Sequence, residues 1–82
     1  MYQVVLAGKA KRSLKKINPP DKPRILTALV KLHQNPFLGK KLGGEYKDCY
    51  SLRVWPYRIV YKIYKKCLFV LVINIGHRGS VY

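Results

Sequence analysis

The stretch Tyr50-Ser51-Leu52-Arg53-Val54-Trp55-Pro56-Tyr57-Arg58-Ile59-Val60-Tyr61 decides how this chain folds. Two runs rich in β-branched and aromatic residues flank a Trp-Pro pair, which is the signature of a tight hairpin. With Trp55-Pro56 as the turn, antiparallel register sets Val54 opposite Tyr57, Arg53 opposite Arg58, Leu52 opposite Ile59 and Tyr50 opposite Tyr61. Side chains alternate between the faces of a strand. Tyr50, Leu52, Val54, Tyr57, Ile59 and Tyr61 therefore share an apolar face that helices must cover. Cys49, Ser51, Arg53, Arg58, Val60 and Lys62 share the other. A turn one residue longer would separate the two arginines and leave each in solvent.

Outward from the hairpin, strands are expected over residues 46–54, 57–64 and 67–75, with Lys65-Lys66 as the second turn. The last strand is apolar on both parities, so it should be central and covered on both faces. Toward the N-terminus, residues 2–6 read as a short strand. Leu6, Ala10, Leu14 and Ile17 then recur at helical spacing, with Lys9, Lys11, Arg12, Lys15 and Lys16 elsewhere on the wheel. Asn18-Pro19-Pro20 breaks that helix. A second begins between Pro19 and Pro23, where proline is tolerated in a first turn, with Asp21 as N-cap or first-turn acid. Ile25, Leu26, Leu29, Val30 and Leu32 give it a broad apolar face, and Asn35-Pro36 ends it. His33 reads as a residue of the helix C-terminus rather than a ligand. The order β-α-α-β-β-β predicts an α+β fold: one domain over residues 1–82, with two N-terminal helices packed on a mostly antiparallel sheet.

Charge supplies the functional clue. Seventeen Lys and Arg stand against three acids, a net charge of +14, while 49% of residues are hydrophobic, enough for a folded core. Such a field attracts polyanions, either a nucleic acid or an acidic protein partner. Like charges directly opposite in a sheet destabilise it by a few tenths to about 1 kcal/mol. Asp21, Glu45 and Asp48 are too few to neutralise the arginines, so the partner of Arg53 and Arg58 is sought outside the chain, and an RNA phosphate is the candidate. The loop over residues 37–45 carries Gly39, Gly43 and Gly44 with Lys40 and Lys41. It lacks P-loop spacing and reads as a basic, flexible rim.

Cys49 and Cys67 have neither zinc-site nor disulfide-scaffold spacing and read as small strand residues. The first residues lack a basic n-region leading a long apolar stretch, and the apolar run over residues 67–75 is too short to span a bilayer. A reducing, cytoplasmic setting without a membrane partner is expected. No cluster of Asp, Glu, His or Cys is fit for a catalytic metal, no paired carboxylates exist, and no cofactor is expected. Arginines, one His, a Tyr and several lysines suit RNA cleavage by the RNA's own 2′-hydroxyl, where the protein positions the phosphate and stabilises its extra charge. Gly76 should end the last strand and deliver His77 and Arg78 to the same sheet end. The ring of Tyr82 can stack on a base.

Tyr57-Arg58-Ile59-Val60-Tyr61, preceded by Cys49-Tyr50-Ser51-Leu52-Arg53-Val54 and followed by Ile73-Asn74-Ile75-Gly76-His77-Arg78 and Val81-Tyr82, resembles the RelE/ParE toxin superfamily over essentially the whole chain. The resemblance implies a RelE-type mRNA interferase that cuts mRNA in the ribosomal A site and is silenced by an acidic or amphipathic antitoxin wrapped around it. It implies that Arg58 and Arg78 hold the scissile phosphate. Arg53 matches a strand lysine that protonates the leaving oxygen; a guanidinium hardly gives up a proton, so Arg53 would give electrostatic support. Tyr82 would orient the substrate, and Lys40, Lys41, Lys47 and Ser51 are candidate RNA contacts. Ser51 stands where the best-known RelE branch has a lysine, and a serine is no base at neutral pH. Three routes remain open: His77 shares the acid–base work, Glu45 helps from the loop, or activity is weak. The ParE branch implies instead a non-catalytic DNA gyrase inhibitor on the same fold, and a plain basic nucleic-acid-binding module is the third reading.

Overall fold

A computed structural model describes residues 1–77, so the candidates Arg78 and Tyr82 lie outside the described residues. The elements are β1 Gln3–Leu6, α1 Gly8–Lys16, α2 Lys22–Gln34, β2 Lys40–Lys41, β3 Cys49–Val54, β4 Tyr57–Tyr64 and β5 Phe69–His77. They form one sheet in the order β1-β5-β4-β3-β2. Among the described residues, β1 and β5 run parallel and the other pairs are antiparallel. The α+β architecture expected from the sequence is the one observed.

The hairpin register is as read: Val54 faces Tyr57, Arg53 faces Arg58, Leu52 faces Ile59 and Tyr50 faces Tyr61. Its apolar face packs on the helices. Ile59 and Tyr61 join Ala10, Ile17, Ile25, Leu29, Leu32, Val70, Val72 and Ile75 in the main core, with Tyr50, Leu52, Val54 and Tyr57 at its margin. At the far end of α2, Tyr2 N–H donates to the His33 carbonyl at 3.0 Å, and His33 Nδ1 lies 2.8 Å from the Tyr2 carbonyl. A carbonyl can only accept, so Nδ1 carries the proton. His33 thus fastens the helix end to the start of β1.

Several expectations change. β3 begins at Cys49 rather than at residue 46, because a 3₁₀ turn, Gly44–Tyr46, precedes it and the backbone is left-handed at Gly44 (φ 61°) and Asp48 (φ 73°). β5 runs through Gly76 to His77 instead of stopping at Gly76. Cys67 lies in the 3₁₀ turn Lys65–Cys67 and is exposed, because the turn is longer than Lys65-Lys66 alone. Leu26 and Val30 are exposed by 49% and 57%, so only part of the apolar stripe of α2 faces the core. Asp21 sits at the N-cap of α2 but makes no side-chain cap bond; its carboxylate binds Arg24 and the Tyr57 hydroxyl instead.

The parity of β5 also differs. A register irregularity pairs Val60 with Asn74 but Tyr61 with Val72, leaving Ile73 as the extra residue of a bulge. Val70, Val72 and Ile75 therefore all enter the main core, although simple alternation would split them. Ile73 packs on the opposite side with Cys49, Val60, Leu42 and Tyr46. An apolar pattern on both parities reflects this switch together with coverage of both faces.

The supposedly flexible glycine loop is held. The buried Tyr61 hydroxyl donates to the Pro36 carbonyl at 2.7 Å and accepts from Gly39 N–H at 2.9 Å. A Cβ at Gly39 would lie 2.5 Å from that hydroxyl and 2.9 Å from the Ser51 carbonyl oxygen, so only glycine lets the loop approach so closely. The following residues then form β2 on the edge of β3. Among the described residues, no helix is long and apolar enough to cross a membrane.

Two outcomes follow from the Tyr61 clamp. Tyr61→Phe leaves the Pro36 carbonyl and Gly39 N–H without their partner and should cost about 1–3 kcal/mol in urea unfolding. Burial is the chief influence on the Tyr61 phenol and raises its pKa above the ordinary 10.0, against a smaller opposite effect of the Gly39 N–H. The folded state thus favours the protonated phenol. The stability it contributes is complete below pH 10.0 and is lost as pH rises through the raised folded value. The difference in stability between the native chain and Tyr61→Phe should narrow above that pH.

Candidate functional site

The candidate site lies on the sheet face turned away from the helices. Arg53 and Arg58 are direct cross-strand partners there, the first exposed and the second half-buried. The Arg58 guanidinium donates to the Ser51 hydroxyl at 3.5 Å, and Ser51 is only 4% exposed. Ser51 therefore steadies Arg58, a positioning role suited to a hydroxyl. On the next strand Lys40 pairs with Ser51, so its side chain joins the same face. On the other flank Arg58 pairs with Gly76, which places no side chain beside the guanidinium. Cys49 and Val60, covered by Leu42, Tyr46 and Ile73, form an apolar floor at the end of this face remote from the hairpin turn.

No acid is paired with Arg53, Arg58 or Lys40 among the described residues. Among the described residues the ion pair found is Asp21–Arg24, at the start of α2. Arg24 also donates to the Trp55 carbonyl, and the Tyr57 hydroxyl donates to Asp21 at 3.2 Å. This acid thus ties the hairpin turn to the helix and holds the strand ends that carry Arg53 and Arg58. Sequence reading assigned Asp21 to capping and missed this role; the shortage of acids was the available signal.

The remaining candidates are placed unevenly. Lys41 pairs with Tyr50, so its side chain alternates to the helix-facing side; it also lines a depression of about 280 Å³ with Asp48, Lys62 and Lys65. Lys47 is exposed just before β3, at the end of that strand away from the hairpin turn. Glu45 is exposed in the 3₁₀ turn Gly44–Tyr46. His77 reaches the expected end of the sheet but pairs with Tyr57, and the two rings meet edge-on at 5.7 Å. The bulge at Ile73 shifts the alternation by one residue, which sets His77 on Tyr57's side rather than beside Arg58 and Ser51. Asn74 is a buried polar residue that sequence reading quoted without a role. It accepts from Ser13 at 3.4 Å and lies one residue before the Ile75-Gly76 segment that flanks Arg58.

This arrangement is a RelE-like toxin fold. The chain superposes on a chain of the intact E. coli RelBE toxin–antitoxin complex with a TM-score of 0.82, at 23% identity and over 98% of this chain and 100% of that one. A chain of the RelBE2 toxin–antitoxin complex from Mycobacterium tuberculosis matches at 32% identity, with a TM-score of 0.77 over 94% of this chain and 98% of the other. In sequence, Toxin RelG of Mycobacterium tuberculosis is 32% identical over 87 residues, 99% of this chain and 95% of that protein. A family model described as ParE toxin of type II toxin-antitoxin system, parDE, covers residues 4–82. The chain belongs to the RelE/ParE superfamily of type II toxin–antitoxin toxins.

If the arginine pair serves a ligand rather than the fold, relieving it should spare stability and weaken RNA binding. Arg53→Thr, which keeps a strand-favouring side chain, should unfold at the same urea concentration as the native chain or stabilise it by up to about 1 kcal/mol. The same change should reduce the logarithmic salt slope for binding a single-stranded RNA oligonucleotide by about 0.7. Lowered stability with an unchanged slope would assign Arg53 to the fold.

Proposed function

We propose that this chain is a ribosome-dependent mRNA endonuclease that cleaves in the A site without a metal, through attack by the RNA 2′-hydroxyl. The observation that carries the reading is the Arg53–Arg58 pair, steadied by Ser51 and facing away from the core, with no acid paired to it among the described residues. A phosphate between the two guanidiniums removes their repulsion, and the additional charge of a pentacoordinate phosphorane strengthens the same contacts. The 2′-oxygen bonds to phosphorus as its proton leaves. The bond from phosphorus to the 5′-oxygen breaks, and that oxygen takes up a proton. The products are a 2′,3′-cyclic phosphate and a 5′-hydroxyl.

Arg58 is assigned to the scissile phosphate and Arg53 to electrostatic support, with Ser51 and Lys40 along the RNA path. The resemblance adds Arg78 as a second phosphate ligand and Tyr82 as a stacking ring. His77, on Tyr57's side of the sheet, is a secondary candidate for proton transfer. Its partner is an antitoxin, as in the RelBE complexes, and its substrate is mRNA on the ribosome. The whole chain acts as one domain in the cytoplasm. The parDE description of the matching family model favours a second reading, inhibition of DNA gyrase.

The readings separate in a translation assay. Translating ribosomes incubated with the chain should yield mRNA ends within the A-site codon, and Arg58→Ala or Arg78→Ala should reduce cleavage by about 100-fold or more, the scale of losing one transition-state donor. Uncut mRNA together with inhibited supercoiling would establish the gyrase reading. Full toxicity of both variants in cells would overturn the catalytic assignment.

A further inference from the structure

At the end remote from the hairpin turn, β4 outruns its partner. β3 begins at Cys49, opposite Lys62, so among the described residues Ile63 and Tyr64 continue β4 with no β3 residue beside them. The depression of about 280 Å³ opens there, lined by Lys41, Lys62 and Lys65 together with Tyr50, Ile63 and Asp48. Leu42 N–H donates to the Cys49 carbonyl at 2.9 Å, which turns the Cys49 backbone toward β2 and, by alternation, that of Tyr50 toward β4. Tyr61, the partner of Tyr50, and Ile63 two residues on therefore direct N–H and C=O to the β3 side. The Ile63 N–H thus aims toward the depression that three ammonium groups surround. Asp48 is exposed in the same lining, and among the described residues it forms no ion pair with them. Lys62, opposite Cys49, also belongs to the open face and stands four residues, about 13 Å, along β4 from Arg58. The apolar floor of Cys49 and Val60 lies between. Beyond Lys62 the half-buried rings of Tyr64 and Phe69 stack at 4.8 Å, and Lys62 Nζ stands over the Tyr64 ring, 5.3 Å from its centroid.

We infer that this notch is a second nucleotide-binding subsite, which takes a phosphate and a base of a single-stranded RNA whose neighbouring segment lies on Arg53 and Arg58. Three cations against one carboxylate leave the lining positive, as a phosphodiester requires, and the Ile63 N–H adds a neutral donor. A lysine ammonium is a point charge on a flexible stem, so Lys62 can leave the Tyr64 ring for the phosphate. That movement frees the ring for a base, and stacking on an aromatic ring accepts any base. Bases between the two subsites lie over the apolar floor. An acidic peptide would meet the cations but would gain nothing comparable from the ring. The subsite adds hold on a long strand and touches no reacting atom. Its place on the RNA path rests on the proposed function; the anion-and-ring site itself does not.

Fluorescence anisotropy with labelled 2′-O-methyl uridine oligomers, which resist cleavage, tests the subsite. A decamer should bind at least tenfold tighter than a trimer too short to span both sites. Lys62→Gln combined with Lys65→Gln should weaken the decamer at least fivefold and lower its logarithmic salt slope by about 1.4, two lysines at about 0.7 each. Tyr64→Leu should weaken it about tenfold, the scale of losing one stacked base, whereas Tyr64→Phe keeps the ring and should bind as the native chain does. Lys11→Gln combined with Lys15→Gln removes the same charge from exposed positions of α1 and should change affinity less than twofold, with circular dichroism melts confirming that each variant folds. Equal loss from the α1 pair, or native affinity in the Lys62 and Lys65 pair or in Tyr64→Leu, would overturn the subsite and leave the proposed function standing. Polyglutamate that binds tighter than the decamer and is lost in the Lys62 and Lys65 pair would give the notch to an acidic protein instead. Decamer binding that depends on Lys62, Lys65 and Tyr64 but survives Arg58→Ala unchanged would overturn the proposed function and leave the subsite standing.

Discussion

Pairing of β3 with β4 through a two-residue turn is the constraint on which the molecule depends. A slip of one residue would turn the apolar set of one strand, either Tyr50, Leu52 and Val54 or Tyr57, Ile59 and Tyr61, away from the helices and drive that strand's arginine toward the core. The large penalty for burying unpaired cations therefore enforces the register as strongly as hydrophobic burial does. The arginine pair costs the sheet some stability in its native place, yet would cost far more anywhere else. Fold and candidate site are two results of one alternation.

Tyr61 carries that order to the edge of the sheet. Its ring lies in the core and stacks against Tyr50 at 5.7 Å, and its hydroxyl holds the chain that follows α2. Phe37 then meets Tyr2 and Tyr50 edge-on, at 6.3 and 6.1 Å. The end of α2, the short β2 and the start of β1 are thereby joined through aromatic contacts. Lys40 owes its position on the candidate face to this joint. In a domain of this size, the site is built from the same side chains that close the core.

The alternation of the hairpin, both helices and their proline boundaries were legible in the sequence because each follows a local period or a local steric rule. The cross-strand meeting of Arg53 with Arg58 followed from the turn alone. What could not be read depends on contacts distant in sequence. The bulge at Ile73 arises where β4 meets β5, and it moves His77 to the side of Tyr57. The double use of Asp21 needs a helix start and a hairpin tip brought together across 36 residues. Exposure of Leu26 and Val30 depends on how far the sheet extends under α2, which no helical wheel contains. Ser51 was read as a missing base; its place under Arg58 makes it a support for the guanidinium.

The scarcity of internal ion pairs makes ionic strength act in opposite senses on the molecule. With seventeen basic residues, three acids and one ion pair among the described residues, the folded chain repels itself, and added salt screens that repulsion. The same salt weakens the hold on any polyanion, because bound counterions are released less favourably. The free chain is thus least stable in the dilute electrolyte where its attraction for nucleic acid or an acidic partner is greatest. Either polyanion, once bound, supplies the countercharge the chain lacks and acts as a stabilising ligand of the fold.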